Sequence, residues 1–203
     1  MFDLVIAVDW SAASKPGPVV PTSNRAWSAT GTKRHRDDPV YHRTRAHAID
    51  HLVGTLGEHH GTALIGFDFA FGYPVDASGP VMPTGRGLCA YLDARLSDGA
   101  DDANNRYALA GRLNEELAHR LDGPGPFWGT PNTHSDPSLT PTKPRSPVPE
   151  YRLVETYLRS LGEQPKSTWQ LAYAGSVGSQ VLTGLAAVHR LMGYPSLASR
   201  CRS

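Results

Sequence analysis

The sequence predicts an α/β domain built on a mixed β-sheet, and three observations lead there. Leu4-Val-Ile-Ala-Val8 is an unbroken, mostly β-branched apolar run that stops at Asp9-Trp10-Ser11, the pattern of a central strand buried on both faces. Thr62-Ala-Leu-Ile-Gly-Phe67 repeats the pattern and stops at a second acid, Asp68. Between the two lie a stretch that alternates like a strand and another with helical periodicity, so the order reads strand, strand, short strand, helix, strand. Open α/β sheets place their crevices at strand carboxyl ends, so Asp9 and Asp68 are expected to share one crevice mouth if their strands run parallel. Two carboxylates held close together repel. A raised pKa or a bound divalent cation relieves that repulsion, and magnesium or manganese is the expected cofactor.

With 203 residues, 39% hydrophobic and 19% charged, the chain fits one domain, 1–203. The net charge is +1, so no global field recruits nucleic acid or an anionic membrane, and any such contact must be local. Cys89 and Cys201 are too few for a disulfide framework and lack metal-ligand spacing, which points to a reducing compartment and a cytoplasmic location. The amino terminus has no basic leader, and no apolar run approaches the roughly 18 residues that a membrane helix needs. No membrane contact is expected.

Taken in order, residues 12–21 form a Gly/Pro loop, and residues 25–32 alternate around Trp27 and Ala29 as a half-exposed strand antiparallel to the first. Residues 33–45 are the most basic stretch, either a phosphate-facing rim or a solvated face, with Tyr41 marking a short third strand. Thr44 is the expected N-cap of a helix to about residue 59, because Ile49, Leu52, Val53 and Leu56 share one face. His47 and His51 share a face of that helix too. Without a nearby acid they read as solvated histidines, as do His59 and His60. Residues 74–87 read as a long loop, 88–96 as a short helix and 102–121 as a longer one with a stripe of Leu109, Leu113, Leu117 and Leu121. At its start, Asn104, Asn105 and Arg106 serve either as caps or as holders of a polar ligand. The Pro-rich segment 123–149 carries Phe127 and Trp128, which fit a lid over the crevice better than a disordered linker. Residues 149–161 predict an amphipathic helix with Val154, Tyr157, Leu158 and Leu161 facing the core. A last helix, 176–192, follows the small residues 175–179; Ser176, Gly178 and Ser179 either allow close packing or, with Lys166 nearby, bind an anion.

Six motifs in order carry a resemblance: Val8-Asp-Trp-Ser-Ala-Ala-Ser-Lys15, Gly66-Phe-Asp-Phe-Ala-Phe-Gly-Tyr-Pro74, Asn104-Asn-Arg106, Gly125-Pro-Phe-Trp-Gly129, Lys166-Ser-Thr-Trp-Gln-Leu171 and Ala174-Gly-Ser-Val-Gly-Ser-Gln180. Across nearly the whole chain the sequence resembles an uncharacterised bacterial family whose members carry labels such as molybdopterin guanine dinucleotide synthesis or cobalamin biosynthesis protein. That family is in turn distantly similar to nucleases of the ribonuclease H-like fold, in which acids ending the first and fourth strands hold divalent metal. Asp9 and Asp68 are the matching positions. The matching motifs also put Ser11, Lys15 and Gln170 among the candidate substrate-binding residues, beside Asn104, Asn105, Arg106, Lys166, Ser176, Gly178 and Ser179.

The resemblance implies a metal-dependent nuclease or phosphohydrolase acting on a phosphate-containing substrate, with nucleic acid as one candidate. The alternatives are a nucleotide- or cofactor-binding protein on the same general fold, and a noncatalytic domain. Members of that family continue past the helix at 182–192 with a Trp-Pro-Phe-Glu-Thr segment, a strand and an acid-containing helix. The chain is therefore expected to be truncated at its carboxyl end, to leave part of the Val181, Leu185 and Val188 stripe or a sheet edge uncovered, and to self-associate there with little activity.

Overall fold

Burial alternates along the first strand, and that alternation sets the architecture. The protein is described from a computed structural model that covers residues 2–76, 79–131 and 136–198. In strand β1 (Leu4–Asp9), Leu4, Ile6 and Val8 are buried while Val5, Ala7 and Asp9 are exposed. The expectation of a strand buried on both faces is thus corrected. An apolar run whose outward members are a valine and an alanine does not by itself reveal whether one face or two are covered.

β1 pairs antiparallel with β2 (Ala26–Gly31), which pairs antiparallel with β3 (Val40–His42), and on its other side β1 pairs parallel with β4 (Ala63–Phe67). The described sheet has the order β3-β2-β1-β4, with β4 at one edge. A separate hairpin joins β5 (Val75–Asp76) to β6 (Gly79–Pro80). Helix α1 (Arg45–Glu58) begins at Thr44, whose side chain accepts a hydrogen bond from the His47 amide at 3.2 Å, the expected cap. Then come α2 (Gly85–Asp93), α3 (Arg106–Leu121), α4 (Leu153–Ser160) and α5 (Gly178–Gly193). No helix among the described residues is long and apolar enough to cross a membrane.

The core joins Leu4, Ile6 and Val8 to Leu52 of α1, Leu88 and Leu92 of α2, Leu109 and Leu113 of α3, and Val181 and Leu185 of α5. Helix α5 sits close to the carboxyl end of the sheet. Gly184 permits this approach, since a Cβ there would lie 2.3 Å from the buried Phe69 ring. The stripe expected to be uncovered on α5 is instead buried at Val181 and Leu185 and half-buried at Val188, because α2 packs along α5. Exposed apolar side chains lie elsewhere, at Val5 and Leu64 on the open sheet face and at Leu153, Val154, Tyr157 and Leu161 around α4. The α4 expectation is reversed as well. Glu155 is its buried residue, since its carboxylate accepts from the Arg152 amide at 3.0 Å and pairs with the Arg152 guanidinium, turning that charged face inward.

The described part of segment 123–149 is anchored by Asn114. Its carboxamide accepts from the Phe127 amide at 2.8 Å and donates to the Phe127 carbonyl at 2.9 Å, satisfying both backbone groups of a buried residue. The Phe127 ring stands edge-on to Trp169 with centroids 5.0 Å apart. This segment packs as part of the fold, and its described residues line surfaces away from Asp9.

Helix α3 starts at Arg106 rather than near residue 102, because Asp102 takes a left-handed conformation (φ 68°) and spends its carboxylate on the Arg45 amide, 2.8 Å away. Arg45 is the polar anchor of this region. Its guanidinium is buried, pairs with Asp98 and donates to the Asp102 carbonyl at 3.0 Å. It also holds the loop that leaves β1, donating to the Ser11 and Ala13 carbonyls at 3.1 and 2.7 Å. Removing one partner strands buried charge, so Arg45→Ala should cost about 3–5 kcal/mol, read as a drop in urea midpoint. A loss under about 1 kcal/mol would mean that the pair is not buried in solution.

Candidate functional site

The site is built by sheet register. Val8 lies opposite Phe67 in the parallel pair, and the ladder continues as the Asp68 amide donates to the Val8 carbonyl at 3.2 Å. Asp9 and Asp68 therefore occupy neighbouring positions on strands about 4.8 Å apart, both on the open face, at the same end of the sheet. The Trp10 amide donates to Asp68 Oδ1 at 2.8 Å and ties the second acid to the chain just past the first. Trp10 is itself pinned, with a buried ring whose indole N–H reaches Thr183 Oγ1 of α5 at 3.1 Å.

Asp68 responds electrostatically to this placement. Loss of hydration beside the strand ends raises its pKa above the ordinary carboxylate value, the Trp10 amide pulls it back, and the charge and hydrogen bonding of Asp9 raise it further. The residue as a whole is exposed, so the desolvation is local to the carboxyl group where it faces β1.

Asp9 stands between two concavities. One is a shallow apolar hollow of about 440 Å³ on the open sheet face, lined by Ala7, Trp27, Ala29, Gly66 and Asp68. The other is a polar cleft of about 460 Å³ beyond the carboxyl end of β1, lined by Ser11, Arg25, Arg106, Ser176, Ser179 and Gln180. Four sequence candidates, Ser11, Arg106, Ser176 and Ser179, thus meet Asp9 in one cleft.

Several of them are held by the fold. Arg106 donates through Nε to Ser179 Oγ at 3.0 Å and through one terminal nitrogen to Ser14 Oγ at 2.6 Å and Asn104 Oδ1 at 2.8 Å. Asn104 in turn donates to the Ala13 carbonyl at 3.2 Å, so it braces Arg106 and the loop after β1 together. Asn105 faces away from the cleft. Its carboxamide accepts from the Ser97 amide at 2.9 Å and donates to the Arg95 carbonyl at 3.3 Å, and the chemistry there is loop closure. Gly178 also has a packing role, since its amide donates to the Gln170 carbonyl at 2.8 Å and a Cβ would lie 2.6 Å from that oxygen.

Lys166 and Gln170 lie in a different cleft of about 540 Å³, with Trp128, Tyr151 and Arg159. Lys15 is exposed and does not line the Asp9 cleft. His47 is exposed, whereas His51 packs its ring on His42 with centroids 5.1 Å apart. Burial, then the nearby His51 and His47, lower the His42 pKa to about 4. Among the described residues no group of three or more His, Cys, Asp or Glu side chains could hold a metal ion.

Sequence reasoning missed Arg25, Arg45 and Gln180. Arg25 had a readable signal, because an antiparallel β2 that pairs Trp27 with Asp9 must place residue 25 beyond the end of β1. Gln180 was inside a quoted motif; its carboxamide donates to the Trp10 carbonyl at 2.6 Å. Arg45 ended a basic run and carried no local sign of burial. Compared with protein-family models, curated proteins and solved structures, the chain matches none.

The raised Asp68 pKa has a signed consequence. A carboxyl whose folded pKa exceeds its unfolded value opposes folding above the folded pKa, and the penalty fades as pH falls toward the unfolded value near 4. Asp9→Asn removes the Asp9 share of that penalty. In EDTA at neutral pH the variant should melt about 1–3 °C higher, the scale of an exposed charge pair worth under about 1 kcal/mol, and the gain should shrink toward pH 3. A melting temperature that falls at neutral pH would make Asp9 a structural hydrogen-bond acceptor instead.

Proposed function

We propose that the chain is a divalent-metal-dependent phosphoryl-transfer enzyme, a nuclease or phosphohydrolase, on a ribonuclease H-like sheet and acting in the cytoplasm. One observation carries the reading: Asp9 and Asp68 are register neighbours on adjacent parallel strands, on the accessible face and at the crevice end of the sheet. The strand order β3-β2-β1-β4, with acids ending the first and fourth strands, supports the fold assignment.

The donor set suits magnesium or manganese. These hard cations take oxygen ligands and bind through one or two carboxylates, with water and substrate phosphate completing the shell. An exposed pair in which Asp9 raises the pKa of Asp68 is a place where divalent charge is stabilised. Asp9 and Asp68 would hold the ion, which would supply Lewis-acid activation of water and offset charge on the phosphate. The chain's own residues would orient and hold: Ser11 lines the cleft beside Asp9, and the braced Arg106 would offer its remaining N–H to a phosphate oxygen.

A nucleotide-binding protein without turnover is the second reading. The site disfavours it at one point, because the Trp10 amide is already bonded to Asp68 and the Trp10 ring is buried, so the backbone after the first acid cannot cradle a phosphate as a glycine turn does.

Magnesium and manganese titrations against single-stranded and double-stranded nucleic acid and mononucleotides test this. Metal-dependent hydrolysis of at least one class is expected. Asp9→Asn and Asp68→Asn should each lower turnover by about a hundredfold or more, since charge stabilisation by a metal is worth several kcal/mol. Binding without hydrolysis would favour the second reading, and neither would leave a noncatalytic domain.

A further inference from the structure

We propose that Arg25 and Arg106 form a phosphate-binding subsite in the cleft that Asp9 also lines, which takes the phosphate group of a phosphate ester. The proposal goes beyond the metal-dependent reading and does not depend on turnover. Both arginines line the cleft that holds Asp9, Ser11 and Ser176, yet they reach it from different parts of the chain, Arg25 just before β2 and Arg106 at the start of α3.

Their charge balance sets them apart. Among the described residues Arg45, Arg152 and Arg190 each pair with a carboxylate, while neither Arg25 nor Arg106 forms an ion pair. Arg106 is half-buried, and the loss of hydration there lowers its pKa. Its neighbours are neutral oxygens, the hydroxyls of Ser14, Ser179 and Tyr107 and the Asn104 carboxamide. They hold the guanidinium in place without neutralising it. Of the more distant charges, Asp98 favours the cation and Arg45 opposes it. Arg25 donates to its neighbour's carbonyl, Asn24 O, at 2.8 Å, and its Nε–H is buried without an acceptor.

A partly dehydrated cation is stabilised most by an anion that reaches it directly, and the planar guanidinium fork matches phosphate geometry. Arg25 keeps such a fork at its terminal nitrogens and Arg106 keeps one N–H on its second terminal nitrogen, and a cleft of about 460 Å³ leaves room for a phosphate and part of the group it esterifies. Asp9 on the same cleft, with Asp68 beside it, opposes an anion. Phosphate affinity should therefore rise when these acids are neutralised, either by a divalent cation or by substitution.

Calorimetric titration of the full chain with inorganic phosphate, ADP and a short single-stranded oligonucleotide tests the subsite, with and without magnesium. Wild type should bind phosphate, and more tightly with magnesium. Arg25→Gln should weaken binding by roughly tenfold or more while the melting temperature holds, since glutamine keeps the Cγ and Cδ atoms that pack against Gly17. Arg106→Gln should do the same, but Arg106 braces two loops, so Arg25→Gln decides the matter if that variant misfolds. Asp9→Asn in EDTA should bind phosphate more tightly than wild type. A stronger response to ADP than to the oligonucleotide, or the reverse, identifies the source of the ester. Unchanged affinity in Arg25→Gln, or no binding of any of the three probes to wild type in magnesium, would overturn the subsite. Phosphate binding that persists in an enzyme without turnover would contradict the proposed activity alone.

Discussion

The parallel register between β1 and β4 is the constraint on which the site depends. Side chains alternate faces along a strand, so the pairing of Val8 with Phe67 is what sets Asp9 beside Asp68 on the open face. A slip of one residue would carry Asp68 to the packed face, against Trp10 and α5. That slip is resisted by the packing of Leu4, Ile6 and Val8 on one side, by the Asp68 amide bonded to the Val8 carbonyl, and by the Asp68 carboxylate bonded to the Trp10 amide. The acid thus helps to set the register that positions it.

A second constraint acts on the loop that leaves β1. Backbone carbonyls at Ser11 and Ala13 would be mobile in an ordinary Gly/Pro loop, yet here Arg45 and Asn104 bind them. Arg45 is fixed by Asp98 and Asp102, and Asn104 contacts Arg106. One buried polar network therefore couples the start of α1, the start of α3 and the mouth of the cleft. Its desolvation cost is large, and a buried ion pair repays that cost only when its geometry is good. What it supplies is position: Ser11 lines the cleft on backbone that is held from below, and Ser14 accepts from Arg106.

Much of this was readable from residues alone, for identifiable reasons. Strand ends were legible because Asp9 and Asp68 interrupt apolar runs, and the α1 start was legible because Thr44 is a strong N-cap ahead of a periodic face. Burial on one face or both was not, because Val5 and Ala7 are apolar wherever they point. The α4 face was misread because hydrophobic periodicity outweighed Glu155, whose pairing with Arg152 is a short-range contact that composition does not reveal. At the site, Ser11, Arg106, Ser176 and Ser179 line one cleft with Asp9, whereas Lys166 and Gln170 belong to another. Lys166 does lie against the 175–179 turn, since a Cβ on Gly175 would stand 2.7 Å from its Cε, yet with Gln170 it lines the cleft on the far side of that turn from Asp9.

Function at this site turns on whether the two strand-end carboxylates form one cation site. Anomalous diffraction from crystals equilibrated with manganese addresses this directly, since it locates the ion without reference to any substrate. The account predicts a single strong peak between the Asp9 and Asp68 carboxylates on the open face of the sheet, within about 2–2.5 Å of an oxygen from each. A peak at other residues, or none at Asp9 and Asp68 at millimolar manganese, would contradict it.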